Sequence, residues 1–309
     1  MVRDKSLDGL KFLLIFSVIL VHMQYEAPCG IRVAHIQHML DMPMFIFLSG
    51  YFTKVKTWEK FFQSAKKVVE IYLIFDVLHS ILSVWLYQSN FVSAFAHGLI
   101  KSHLAMWYLM SLLWWRALLQ ILANWKIYPD WKMLLGGVVL SLLAGFVPLG
   151  SELSFQRTFV FLPFFLMGYM AREGNAVEWV RRQPVWPFAI ALVASCCLAH
   201  FLPSYMPRYP YADVQDMLVR GLLSLNAFVL CVSFFRVLPT SLSSRFAGLG
   251  ELTMYFFLYH TLFLVVQRYY FAQYGITINF LEALLITGAY IAVIYLMSKM
   301  KLFRWLILQ

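Results

Sequence analysis

SLDGLKFLLIFSVILVHM, residues 6–23, decides what kind of chain this is. Its apolar part approaches the ~20 residues that cross a hydrocarbon layer. It nevertheless keeps Lys11 and His22, and no small-residue cleavage site follows it, so it reads as a retained first span over 7–25 rather than a removable signal. Asp8, Lys11, Ile15, Val18, His22 and Glu26 follow one another in steps of three or four, which sets them along one stripe of a helix. Lys11 and His22 are eleven residues apart. At 3.6 residues per turn they stand about 20° from eclipsed, with a rise of roughly 16 Å between them.

Outward from this stretch, comparable apolar runs recur at 36–53, 67–88, 103–123, 133–149, 157–171, 186–202, 214–235, 251–272 and 278–298. The chain has 309 residues, 61% hydrophobic and 13% charged, with a mean hydropathy of +0.71. Soluble domains are typically about 45–50% apolar and about 25% charged. Disorder, collagen-like repeats and a disulfide scaffold are excluded. The expectation is an all-α polytopic membrane protein of about ten transmembrane helices. Loops are short and no Gly/Ser-rich linker or repeat is present, so residues 1–309 are expected to form a single transmembrane domain.

The net charge of +10 would point to nucleic acid in a soluble protein. Here it follows topology, since cytoplasmic loops collect Lys and Arg. With ten spans, 19 of the 25 basic residues fall on one side and six on the other, which places both termini in the cytoplasm. Five of the 19 are Lys54, Lys56, Lys60, Lys66 and Lys67. Cys29, Cys196, Cys197 and Cys231 show no metal-ligand spacing. No metal site and no nucleic-acid partner is expected.

Ionisable groups at membrane depth are costly and mark functional candidates. Lys11 at the mouth and His22 further in suit a long anionic donor: a cation holds phosphate, and a neutral imidazole acts as general base. Each also has a plain explanation, a snorkelling lysine and a packed histidine. Asp41 precedes Met42-Pro43, where proline interrupts a helix. Tyr72, Asp76 and His79 share a helix face, His103 opens the fourth span, Arg157 opens the sixth, and Thr253, His260 and Gln267 repeat every seven residues. In the derived orientation His22, Asp41, His79, His103, Arg157 and His260 all fall in the outer half. Scattered packing residues have no reason to share a depth.

Five blocks in order carry a family resemblance. The first helix has a basic residue, ten intervening positions and a histidine, Lys11 and His22. DMPMFIFLSGYF (41–52), SHLAMWYLMSLLWW (102–115), RTFVFLPFFLMGYMAREG (157–174) and LGELTMYFFLYHTLF (249–263) follow it. The chain resembles the integral-membrane acyltransferase-3 family, and within it the fucose-4-O-acetylase-like branch. It departs where Asp41 stands in place of a common histidine, where Ala105-Met106 are inserted, and where Lys66 and Lys67 replace an Arg-x-x-Arg motif.

The resemblance implies a membrane O-acyltransferase that takes an acetyl or similar acyl group from acetyl-CoA. The acceptor would be a hydroxyl of a sugar or glycolipid of the cell envelope, at a bacterial inner membrane rich in lipid contacts. Expected roles are His22 as base, oriented by Asp41 or Asp76; Lys11, Lys66 and Lys67 at the donor phosphates; and His103, Arg157 or His260 at the substrate or oxyanion. A transporter or lipid-linked-sugar flippase also suits ten spans with broken helices, and an accessory membrane subunit is a third reading. Labelled acetyl-CoA separates them, because a transporter forms no ester.

Overall fold

Among the described residues, each apolar run singled out in the sequence is helical over most of its length. The structure, a computed structural model, describes residues 4–24, 32–147, 152–204 and 209–308, so Glu26 and Cys29 lie outside the described residues. The helices are α1 (Lys5–His22), α2 (Val33–Phe52), α3 (Trp58–Tyr87), α4 (Phe91–Lys101) and α5 (Trp107–Asn124). They continue with α6 (Trp131–Leu143), α7 (Phe155–Glu173), α8 (Ala176–Arg182), α9 (Val185–Phe201) and α10 (Val214–Val237). The last are α11 (Thr240–Arg245), α12 (Ala247–Gly250), α13 (Thr253–Tyr274), α14 (Phe280–Met297) and α15 (Lys301–Leu308). No β-strand occurs among the described residues.

Short polar side chains start many of these helices by accepting from orphan backbone N–H groups. Asp4, Asn90, Asp130 and Asp213 cap α1, α4, α6 and α10, and Asn279 with Glu282 forms a reciprocal capping box on α14. The sequence reading missed α4, α8, α11, α12 and α15, all short. Among the described residues four segments are long and apolar enough to cross a membrane: Trp58–Tyr87, Phe91–Asn124, Val214–Val237 and Phe280–Met297. The pair α8 and α9 counts as a fifth if it is one span, although it is bent by 102°. Pro184 stands at that bend, and the residue before a proline is pushed out of helical geometry.

The chain divides into two compact units. One comprises Met1–Val33, Lys67–Trp107 and Pro239–Gln309; the other comprises Ala34–Lys66 and Tyr108–Leu238.

In the second unit, α2 and α7 cross at glycines. A Cβ on Gly50 would lie 2.0 Å from the Phe165 carbonyl oxygen, and one on Gly168 would lie 1.9 Å from that of Phe47. Only the absence of a side chain at both positions lets the backbones approach so closely. The Ser-Gly-Tyr and Gly-Tyr segments of the family blocks are therefore packing devices here. Ser49 has a packing role too, bonding the Phe45 carbonyl at 2.8 Å and the Tyr108 hydroxyl at 2.5 Å.

Pro43 lies inside α2 and has no N–H for the carbonyl four residues back, that of Met39. Cys231 of α10 points its thiol at that oxygen from 3.9 Å and at the Leu40 oxygen from 3.6 Å. A neighbouring helix thus partly re-satisfies the freed backbone.

In the first unit, α1 lies backbone against backbone on the turns of α11 and α12. A Cβ on Gly9 would be 1.6 Å from the Ser243 carbonyl oxygen, and one on Gly250 would be 1.8 Å from that of Asp8. Phe12 closes the same seam, stacked on Phe246 and edge-on to Phe256.

Candidate active site

The face of α3 that carries Tyr72, Asp76 and His79 is buried, and each of the three side chains has a different partner. Tyr72 donates its hydroxyl to the Gly98 carbonyl at 2.6 Å and lies 3.0 Å from Ser102 Oγ, which ties down the end of α4. Ser102 turns the chain with φ 51°, and His103 follows at the exit. Over Gly98, Asp76 Oδ1 and His103 Nε2 meet at 3.2 Å. The two atoms are close but not aligned for a hydrogen bond. Catalytic contacts in an unliganded site are often of this kind.

His79 stacks on His103 with ring centres 5.2 Å apart and planes at 20°. Its Nε2 lies 3.0 Å from Thr261 Oγ1. Thr261 donates its hydroxyl hydrogen to the Leu258 carbonyl at 2.7 Å, so its oxygen can only accept. Nε2 of His79 therefore carries the hydrogen.

Thr261 follows His260 on α13. His260 is fully buried and places Nδ1 2.8 Å from the Phe256 carbonyl, which accepts only. In the neutral ring the hydrogen is then on Nδ1, and Nε2 presents a lone pair. That Nε2 is buried with no hydrogen-bond partner among the described residues. The His260 ring stacks on His22, centres 5.8 Å apart and planes 6° from parallel. Arg268, two turns further along α13, donates to the His22 carbonyl at 3.0 Å. His22 is the last residue of α1, so the guanidinium supplies a cation and a donor at a helix C-terminus.

At the other end of α1, Lys11 pairs with Asp8 at 2.7 Å. The carboxylate is nearly buried, while the ammonium-bearing side chain is 24% exposed. The stripe read from the sequence is thus a real face of α1, with an ion pair at one end and an imidazole stack at the other.

Six of the expected site residues, Lys11, His22, Lys67, Asp76, His103 and His260, belong to this unit. Asp76 meets His103. Asp41 and Arg157 belong to the second unit, where Asp41 is buried in α2 and Arg157 is half-buried near the start of α7. Lys66 and Lys67 are exposed on α3.

Gly98, Thr261 and Arg268 were missed by the sequence reading. The first two carry no signal of their own, and in the sequence Arg268 is one more basic residue near the end of an apolar run. Among the described residues no group of three His, Cys, Asp or Glu side chains is arranged to hold a metal ion.

Compared with known protein families, the chain matches the acyltransferase-3 family, described as an acyltransferase domain, over residues 4–299. Comparison with curated proteins and with solved structures gives no match. The family match spans α1 through α14 and covers every residue of the imidazole array, and the chain belongs to the acyltransferase-3 family of membrane acyltransferases.

Proposed function

We propose that the protein transfers an acetyl or similar acyl group from cytoplasmic acyl-CoA to a hydroxyl of a cell-envelope sugar or glycolipid. In this reading the chain crosses the bacterial inner membrane ten times with both termini in the cytoplasm. Lys11, its charge partly offset by the Asp8 carboxylate, attracts the donor phosphates at the inner mouth, and the thioester reaches His22. His22 takes the proton of the acceptor hydroxyl as its oxygen bonds to the thioester carbon. The C–S bond then breaks, and the departing thiolate receives the proton.

His260 lends its partnerless Nε2 to a neighbouring hydroxyl of the acceptor sugar, because a lone pair suits a donor hydroxyl better than a developing oxyanion. Asp76, His103 and His79 orient the array from behind. The observation that carries this reading is the His22–His260 stack held at the end of α1. Packing alone does not require two imidazoles at membrane depth with one ring nitrogen left unsatisfied.

The test is His22→Ala in membranes given labelled acetyl-CoA. Transfer is expected to fall at least 100-fold, as loss of a general base typically costs about 10²–10⁴; near-normal transfer with intact protein would overturn the assignment. Glycan mass spectrometry of cells with and without the protein then names the product. Acetyl adds about 42 mass units and succinyl about 100, set by the acyl group the carrier brings.

A further inference from the structure

The second unit contains a cavity none of whose lining residues has yet been given a role. It measures about 150 Å³ and is walled by Phe52, Val55, Phe61 and Leu119, with Lys54, Lys56, Ser64 and Arg116 supplying its polar groups. Its rim is built rather than loose. Gln120 of α5 clamps the backbone of Lys56 twice, accepting from its N–H at 3.2 Å and donating to its carbonyl at 2.7 Å. Arg172 donates to the Thr53 carbonyl at 2.7 Å, and Trp58 Nε1 donates to Asn124 Oδ1 at 3.3 Å. The turn between α2 and α3 is thereby fixed with Lys54 and Lys56 beside Arg116.

Among the described residues no carboxylate pairs with these three cations. Glu59 accepts from Gln63 at 3.4 Å, and Glu173 pairs with Arg172 at 2.8 Å. A half-buried guanidinium without a counter-charge is costly unless something outside the chain supplies one. Arginine offers a planar fork matched to phosphate, lysine a mobile point charge, and serine a hydroxyl. In the proposed topology Lys54, Lys56 and Arg116 all belong to the cytoplasmic side, where both nucleotide phosphates and anionic lipid headgroups are found.

We infer that this cavity, lined by Lys54, Lys56, Ser64 and Arg116, binds a phosphate group of a cytoplasmic ligand. Two sources share that chemistry: the adenine-nucleotide end of acyl-CoA, which rests on the reading above, and the headgroup of an anionic phospholipid. The full-length protein in neutral phosphatidylcholine nanodiscs separates them. Adenosine 3′,5′-bisphosphate is titrated by calorimetry, and retention of phosphatidylglycerol is read by native mass spectrometry.

Arg116→Gln and the exposed-residue double variant Lys54→Gln/Lys56→Gln are each expected to weaken one of these ligands at least tenfold. Lys132→Gln, the same single loss of charge as Arg116→Gln but on α6 outside the cavity, is expected to change neither. Loss of bisphosphate binding assigns the nucleotide, and loss of phosphatidylglycerol assigns the lipid. If the double variant binds both probes as the unaltered protein does, or the unaltered protein binds neither, the inference fails. Acyl transfer by the unaltered protein and its loss in His22→Ala are separate readouts, so that failure would leave the proposed reaction standing.

Discussion

Replacing Gly98 by alanine places a methyl carbon 1.7 Å from Asp76 Oδ1 and 2.6 Å from His103 Nε2. Carbon and oxygen rest no closer than about 3.2 Å, so the carboxylate must retreat by about 1.5 Å or the end of α4 must lift. Turning a short side chain is the easier course, and it breaks the 3.2 Å approach between Asp76 and His103. The fold is expected to survive with an overpacking cost of about 1–3 kcal/mol.

A hydrogen bond to a charged group, which Asp76 and His103 form only once they align during transfer, is typically worth about 1.5–3 kcal/mol. If the pair orients the imidazole array during transfer, its loss lowers the rate by roughly 10- to 150-fold at 1.36 kcal/mol per tenfold. The assay is acetyl transfer from labelled acetyl-CoA in membranes, normalised to protein and paired with thermal unfolding in detergent. Gly288→Ala on α14 is the matched control, since a Cβ there meets nothing within 4 Å. Transfer by Gly98→Ala within twofold of the control would refute a part for Asp76 and His103 in the reaction.

Arg268→Gln removes the cation from the end of α1 and is expected to slow transfer more than tenfold, with partial recovery in Arg268→Lys. Equal activity in all three proteins would detach Arg268 from the positioning of His22. Gly50→Ala and Gly168→Ala each drive a methyl to within about 2 Å of a backbone carbonyl, where neither side can rotate away. Both are expected to lower the unfolding temperature or abolish insertion. Unfolding curves that superimpose on the parent would show that α2 and α7 are not locked at that crossing.

The helical character of the chain is legible from hydropathy alone, because each of the ten apolar runs exceeds what a soluble helix stripe needs. The stripe on α1 is legible too, since Asp8 and Lys11 stand at i and i+3 and meet at 2.7 Å. The shared face of Tyr72, Asp76 and His79 follows from periodicity, and all three are buried there. Periodicity could not reveal the partners. Asp76 reads as a carboxylate seeking a histidine, but the one it meets depends on Gly98 of α4, a helix too short to register between two longer apolar runs. Thr261 fixes the His79 tautomer through a bond to its own helix, which no spacing rule announces. Arg268 resembles any interfacial cation until its partner, a backbone carbonyl 246 residues earlier, is seen.

Two of the groups that hold His22, a ring and a guanidinium, come from α13, eight residues apart. Rotating that helix by a single residue, about 100°, withdraws both grips at once, whereas a small tilt about its axis midpoint disturbs neither very much. A motion that admits a bulky acceptor while keeping His22, the proposed base, aimed is therefore confined to rocking. The helix acts as a keyed shaft, free to lean but not to spin.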